Sequence, residues 1–109
     1  MPKAKYDLRY LPLFYEELDR DVSHIAIKLK NPDAANNLLD SVESAIMKRL
    51  KDGPESFEQV YSRKSRKHPY YRIYVKNYII YYVVLEEHGR KIMEVRRFMH
   101  SLEDRDNKI

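Results

Sequence analysis

The segment at residues 78–85, YIIYYVVL, is the longest uncharged apolar run of the chain and restricts its fold most. It is far shorter than the ~20 residues that cross a membrane, and its β-branched and aromatic side chains favour a strand. Alternation would give each face of that strand four apolar side chains: Tyr78, Ile80, Tyr82 and Val84 on one, and Ile79, Tyr81, Val83 and Leu85 on the other. Both faces therefore need a cover. We expect helices on one face and, in part, a ligand or partner on the other.

Two helical patterns precede this strand. Asn31 can cap the second helix with Pro32 in its first turn, and Gly53 can end it. The short connection between the two patterns predicts an antiparallel helical hairpin. Apolar residues spaced by three or four form a stripe on each predicted helix: Leu11, Phe14, Leu18, Val22, Ile25 and Leu29 on the first, and Ala35, Leu38, Leu39, Val42, Ala45, Ile46 and Leu50 on the second.

Strand patterns lie on both sides of the hairpin. Residues 6–10 alternate apolar and charged side chains, and residues 71–75, 78–85 and 91–99 form three consecutive strand patterns after a polar loop at 55–69. Turns are expected at residues 76–77 and 87–89. We therefore predict an α+β fold, with an N-terminal strand, an antiparallel helical hairpin and a three-stranded antiparallel meander. One domain is expected over residues 1–100, followed by a charged tail at 101–109.

The charges of the 109-residue chain are unevenly distributed. The net charge is +4, yet residues 59–85 contain six lysines and arginines and no acid, so the rest of the chain carries −2. Such a segment attracts a polyanion or an acidic partner, unless folding disperses its charges over a solvated surface. Without cysteine, and with two glycines that both fall at turns, the sequence gives no sign of a metal or a cofactor. No signal peptide or membrane span is indicated, so we expect a cytoplasmic protein.

Two segments carry a family resemblance. YRIYVKNYIIYYV at residues 71–83 and RFMH at 97–100, followed by acids, are similar to the RelE/ParE superfamily, the toxins of type II toxin–antitoxin pairs, also known as plasmid stabilisation proteins. The resemblance covers nearly the whole chain and implies this α+β fold. It also implies a cognate antitoxin that wraps over the toxin in a hetero-oligomer. RelE-like members cut mRNA in the ribosome without a metal, whereas ParE-like members poison DNA gyrase.

Two positions depart from the RelE-like pattern. The resemblance places arginines where this chain has Ile79 and Leu102, and a fixed guanidinium is the usual means of stabilising charge on a phosphate that is being cleaved. We therefore favour the ParE-like activity. The alternatives are a RelE-like endoribonuclease and a degenerate toxin that acts only by binding a partner.

Candidate site residues follow from the resemblance and from their chemistry. His100 matches a position that acts as general acid in some mRNA-cleaving members, although it is also compatible with a backbone-bonded histidine at a strand end. Arg72 is the arginine best placed to replace the two that are missing. If the chain is an enzyme, these two residues are its predicted catalytic groups.

A second group is predicted to bind nucleic acid or a partner. Basic side chains of the 55–69 loop suit phosphates or an acidic antitoxin segment. Tyrosine rings can stack on bases or line a surface that is dry only when occupied, although ordinary core packing also explains tyrosines in strands. The predicted set is Lys64, Arg66, Lys67, His68, Tyr74, Tyr78 and Arg97.

Overall fold

A computed structural model describes residues 5–60 and 67–102 of the chain. The elements are β1 (Tyr6–Tyr10), α1 (Pro12–Ser23), a π-helical turn (His24–Lys28), α2 (Pro32–Asp52), β2 (Tyr71–Val75), β3 (Tyr78–Glu87) and β4 (Arg90–His100). The predicted order of a strand, a helical hairpin and an antiparallel meander is confirmed, and so is the α+β class. Of the predicted tail, residues 103–109 lie outside the described part of the chain.

The sheet has the strand order β1-β4-β3-β2. β3 pairs antiparallel with both β2 and β4, as a meander requires. β1 joins the far side of β4 in parallel, with Leu8 opposite Met93 and Tyr10 opposite Val95. The helical hairpin is therefore the connection that carries the chain from one edge of the sheet back across it.

The helix boundaries follow local chemistry. Pro32 occupies the first turn of α2, and the Asn31 side chain accepts a hydrogen bond from the Ala34 amide at 3.1 Å. Gly53 ends α2 with a φ of 102°, a conformation that residues with a Cβ rarely adopt.

The first helix is less regular than its apolar stripe predicts. After Ser23 the backbone changes to π-helical bonding, in which the Leu29 amide reaches the His24 carbonyl five residues back. The wider turn rotates the following residues relative to the stripe of α1. Leu29, predicted to belong to the buried stripe, is consequently exposed, as is Ile27.

The sheet has a helix-covered face and a helix-free face. On the first, both helices enclose a core that includes Phe14, Leu38, Ile80, Tyr82 and Phe98. The second carries a smaller buried cluster: Val60, Tyr70, Ile79, Tyr81, Val83 and Met99.

The chain itself buries the second face, where a ligand or partner was expected as part of the cover. Val60 and Tyr70, which flank the polar loop, pack with Ile79 and Tyr81, and the Val60 amide donates to the Tyr70 carbonyl at 2.7 Å. Ile79 and Tyr81 are both fully buried in this way. The chain itself therefore covers the apolar centre of this face, and a cover by an outside partner stays a prediction for the rest of it.

Candidate functional surface

Three residues of β2 and the following turn form a basic, aromatic surface at one edge of the sheet. Arg72 and Tyr74 pair with Tyr81 and Ile79 and so lie on the helix-free face. The Arg72 guanidinium carbon is 5.8 Å from the centre of the Tyr74 ring, and that ring is 64 % exposed. Lys76 follows in the β2–β3 turn and is also exposed. We call Arg72, Tyr74 and Lys76 the β2-edge surface.

Arg72 shares the helix-free face with Ile79, the position at which the resemblance places an arginine. It stands on the neighbouring strand, diagonal to Ile79 in the register of β2 and β3. Ile79 itself is buried in the apolar cluster of that face. A basic side chain is thus present near this position, but it comes from another strand and lies closer to the sheet edge.

His100 lies on the opposite face. It ends β4 and pairs with Tyr78, whose ring stacks on Phe98 of the helix-covered core. The two rings of His100 and Tyr78 meet edge to face at 5.3 Å, and the His100 Nδ1 accepts the Leu102 amide at 3.1 Å. That bond places the proton of a neutral His100 on Nε2. The two predicted catalytic residues, His100 and Arg72, therefore do not converge on one point.

Arg97 is held by an ion pair inside the protein. Its Nε and one terminal nitrogen donate to the two carboxylate oxygens of Glu17 at 2.9 and 2.8 Å. Glu17 also accepts the Phe98 amide at 3.1 Å, so this buried carboxylate ties α1 to β4. Arg97 therefore makes a structural contact inside the protein and is not part of the β2-edge surface.

The predicted basic loop is only partly described. Lys64 and Arg66 lie outside the described residues. Lys67 is exposed and His68 is half-buried, and both precede β2 by a few residues. These two residues are therefore close in sequence to the β2-edge surface.

Four tyrosines in and beside the strands pack against one another. Tyr71 stacks on Tyr82 with ring centres 5.1 Å apart, and Tyr70 meets Tyr81 edge to face at 6.1 Å. All four are buried. Of the two tyrosines predicted to bind a partner, Tyr74 is exposed. Tyr78 is half-buried, and burial raises its pKa, with a further contribution from Asp21.

Sequence reasoning missed a buried charge cluster on the helix-free face. Glu94 accepts hydrogen bonds from the Nε atoms of Arg9 at 2.8 Å and Arg96 at 2.7 Å, and Arg9 also binds Glu87. Arg96 is the extra residue of a β-bulge, because Tyr81 pairs with Arg97 while Tyr82 pairs with Val95. The only signal in the sequence was a row of charges inside the last strand, and the bulge that gathers them has no sequence signature.

Arg49 was missed as well. Its NH1 donates to the Arg72 carbonyl at 3.0 Å and to the Tyr82 hydroxyl at 2.9 Å, and its guanidinium lies 3.5 Å over the Phe57 ring. The Tyr82 hydroxyl in turn donates to the Pro54 carbonyl at 2.7 Å. Burial raises the pKa of Tyr82, and the Arg49 charge opposes that rise. Arg49 thereby fixes β2, and with it the β2-edge surface, to α2 and the loop after it.

Within residues 5–60 and 67–102, a metal-binding cluster and a membrane-spanning helix are both absent. No group of three or more histidine, aspartate or glutamate side chains there is arranged to hold a metal ion. No helix in the same ranges is long and apolar enough to cross a membrane.

Comparison with known protein families identifies the class of protein to which the chain belongs. The family model described as ParE toxin of type II toxin-antitoxin system, parDE, matches residues 8–105. The match extends over most of the chain, from β1 through the end of β4, and the chain therefore belongs to this family of toxins. An antitoxin partner follows from that membership. No curated protein and no solved structure matches the chain.

Proposed function

We propose that this protein inhibits growth as a poison of DNA gyrase when its antitoxin is not bound. The observation that carries the proposal is the separation of His100 and Arg72 onto opposite faces of the sheet. RNA cleavage of the RelE type needs a proton donor and a fixed cation at the same phosphate. Together with membership in the ParE family, this separation favours a toxin that acts by binding its target.

We propose the β2-edge surface as the contact with the target. Arg72 and Tyr74 offer a cation beside an exposed ring on a strand fixed from behind by Arg49. The segment that contains this surface, residues 59–85, has no acid. A rigid, basic and aromatic surface suits the DNA held by gyrase or an acidic region of the enzyme. Lys64, Arg66, Lys67 and His68 would extend the same contact, and the antitoxin would neutralise the toxin by covering it.

The test is a gyrase cleavage assay with the purified toxin, free of antitoxin. Supercoiled plasmid, gyrase and ATP are incubated with the toxin, and trapped cleavage complexes are counted as linear DNA after detergent and protease. We expect linear DNA to accumulate with the wild type. Arg72→Glu should lower the yield by roughly tenfold, the size of a lost charge-assisted contact. Lys28→Glu, the same charge reversal on the exposed hairpin, should not change it.

A parallel assay distinguishes the two alternatives, a RelE-like endoribonuclease and a degenerate toxin. Purified toxin is added to cell-free translation, and the message is mapped by primer extension. Discrete cuts on translating ribosomes that disappear in His100→Ala would overturn the gyrase proposal in favour of the RelE-like alternative. A folded protein that binds its antitoxin but has neither activity would be a degenerate toxin that only binds partners.

A further inference from the structure

A pocket of about 480 Å³ opens where the end of β1 and the start of α1 meet α2. Its volume lies in the range of roughly 300–1,000 Å³ that is typical of small-molecule sites. β1 and α1 contribute Tyr10 and Tyr15 to its lining, and α2 contributes Asp40, Glu43 and Met47. We call it the α1–α2 pocket.

Aromatic rings give the pocket a surface that can attract a cation. The ring centres of Tyr10, Phe14 and Tyr15 lie 5.2 to 5.8 Å from one another. Rings this close leave no room for an ion between them, so a cation would lie against an outward ring. Tyr15, which is 53 % exposed, supplies such a ring. The negative face of a tyrosine ring attracts an ammonium group within about 6 Å of the ring centre.

The charged side chains that line the pocket, among the described residues, are both acids. Asp40 and Glu43 stand three residues apart on one face of α2, a spacing that puts their Cβ atoms about 5–6 Å apart. Both are exposed, and neither forms an ion pair within residues 5–60 and 67–102. Burial raises the pKa of Tyr10, and the nearby Tyr15 and Glu43 raise it further. The pocket is therefore locally negative on a chain whose net charge is +4.

We propose that the α1–α2 pocket binds a linear aliphatic polyamine. Its ammonium groups would pair with Asp40 and Glu43. Its methylene segments would cover the exposed side chains of Tyr15, Leu39 and Met47. A compact metal cation would leave these apolar side chains uncovered, and an anion would meet two like charges, so a chain of alternating ammonium and methylene groups matches the lining best.

The pocket is separate from the site proposed for the target. It shares no residue with the β2-edge surface. The inference therefore goes beyond the proposed contact with gyrase and does not depend on it.

Methyl NMR provides a test at the pocket itself. The toxin is labelled at its methionine methyl groups and titrated with cadaverine, a linear diamine, and with pentamethylene glycol, the neutral diol of the same length. We expect cadaverine to shift the Met47 signal saturably while the signals of Met93 and Met99, both fully buried in the sheet, stay in place. The diol should bind at least roughly tenfold more weakly, since it lacks both ion pairs and the cation–π contact. Sodium chloride at equal ionic strength should leave the Met47 signal in place.

Two matched double variants tie the affinity to the acids of the pocket. Asp40→Asn combined with Glu43→Gln should weaken the binding of cadaverine by roughly tenfold, because two exposed ion pairs are lost. Glu16→Gln combined with Asp19→Asn should not change it. This control removes the same two charges, at the same spacing, from exposed positions of α1 that do not line the pocket.

A third variant tests the ring. Tyr15→Leu keeps an apolar side chain but removes the ring, so it should weaken the binding of cadaverine by roughly threefold. Unchanged Met93 and Met99 signals show that each variant is folded. The proposal is overturned if Met47 does not respond to cadaverine, if the diol or the salt shifts it equally, or if the two double variants bind cadaverine equally. It is also overturned if Met47 shifts with toxin concentration alone, because a second copy of the chain would then cover the pocket.

Discussion

Both faces of the sheet bury apolar side chains at their centres, but different parts of the chain cover them. On the helix-covered face, α1 and α2 lie over the sheet and enclose a core that spans β2, β3 and β4. On the helix-free face, a smaller cluster is closed by Val60 and Tyr70 from the segments beside a loop, next to the charge cluster around Glu94. The comparison shows that regular elements bury most of the apolar surface, while the loop-covered face leaves an edge, the β2-edge surface, for contact with other molecules.

The largest expected effect separates two adjacent isoleucines. Ile80 and Ile79 are both fully buried, and they point to opposite faces of β3. We expect Ile80→Ala to lower the free energy of unfolding by about 4 kcal/mol, because the helices cannot collapse into the cavity, and Ile79→Ala by about 2.5 kcal/mol, because a loop can. Chemical denaturation of both variants measures the difference. An equal or larger loss for Ile79→Ala would contradict the distinction between the faces.

A second contrast uses the two buried acids. Glu17 binds Arg97 through both oxygens and also accepts the Phe98 amide. Glu94 binds the better exposed Arg9, which also pairs with Glu87. Removing one charge from a buried pair leaves the other unpaired, so Glu17→Gln should cost about 3 kcal/mol and Glu94→Gln about 1.5 kcal/mol. Denaturant midpoints of the two variants test this order. Equal losses would show that the two buried carboxylates are held equally strongly.

Arg49 offers a way to loosen the loop while keeping the helix-covered core. Arg49→Met keeps an unbranched apolar stem but removes the hydrogen bonds to the Arg72 carbonyl and the Tyr82 hydroxyl and the cation–π contact with Phe57. We expect a loss of about 2 kcal/mol, typical of hydrogen bonds from a charged group. Hydrogen exchange should accelerate in β2 and the 53–60 loop more than in β4. Uniform acceleration across the sheet would mean that Arg49 stabilises the whole fold equally.

The smallest effect comes from acids at the surface. Arg90 and Lys91, by hydrogen bonding to Asp7 and Glu55 respectively, hold the pKa of each carboxyl below its ordinary value of 3.8 or 4.5. A lowered folded-state pKa gives stability that is present above the ordinary value and is lost as pH falls through the lowered one. The midpoint of urea unfolding should therefore decline from about pH 5 downward. Asp7→Asn should reduce that decline slightly, and a decline unchanged in this variant would assign it to other acids.

Much of the fold was predictable because hydrophobic period distinguishes helix from strand. The stripes through Phe14 and Ile46 and the alternation of β3 predicted the hairpin and the meander. The parallel pairing of β1 with β4 was not predicted, since alternation reveals a strand but not its distant partner. The π-helical turn that exposes Leu29 was also missed, because a widened turn leaves no trace in residue spacing.

The candidate site was harder to predict than the fold. The basic segment and Tyr74 could be predicted from composition and chemistry, but the faces on which Arg72 and His100 lie depend on the register of three strands. Glu94 and its two arginines are brought together by a bulge and by β1, neither of which the sequence pattern reveals.

The most direct test of the account is growth arrest on expression of the toxin without its antitoxin. Wild type, His100→Ala, Arg72→Glu and Lys28→Glu are compared at matched soluble levels, with thermal melting to show that each is folded. We expect Arg72→Glu to lose the arrest, whereas His100→Ala and Lys28→Glu should retain it. A folded His100→Ala variant that no longer arrests growth, beside an Arg72→Glu variant that still does, would contradict the β2-edge surface as the site of action.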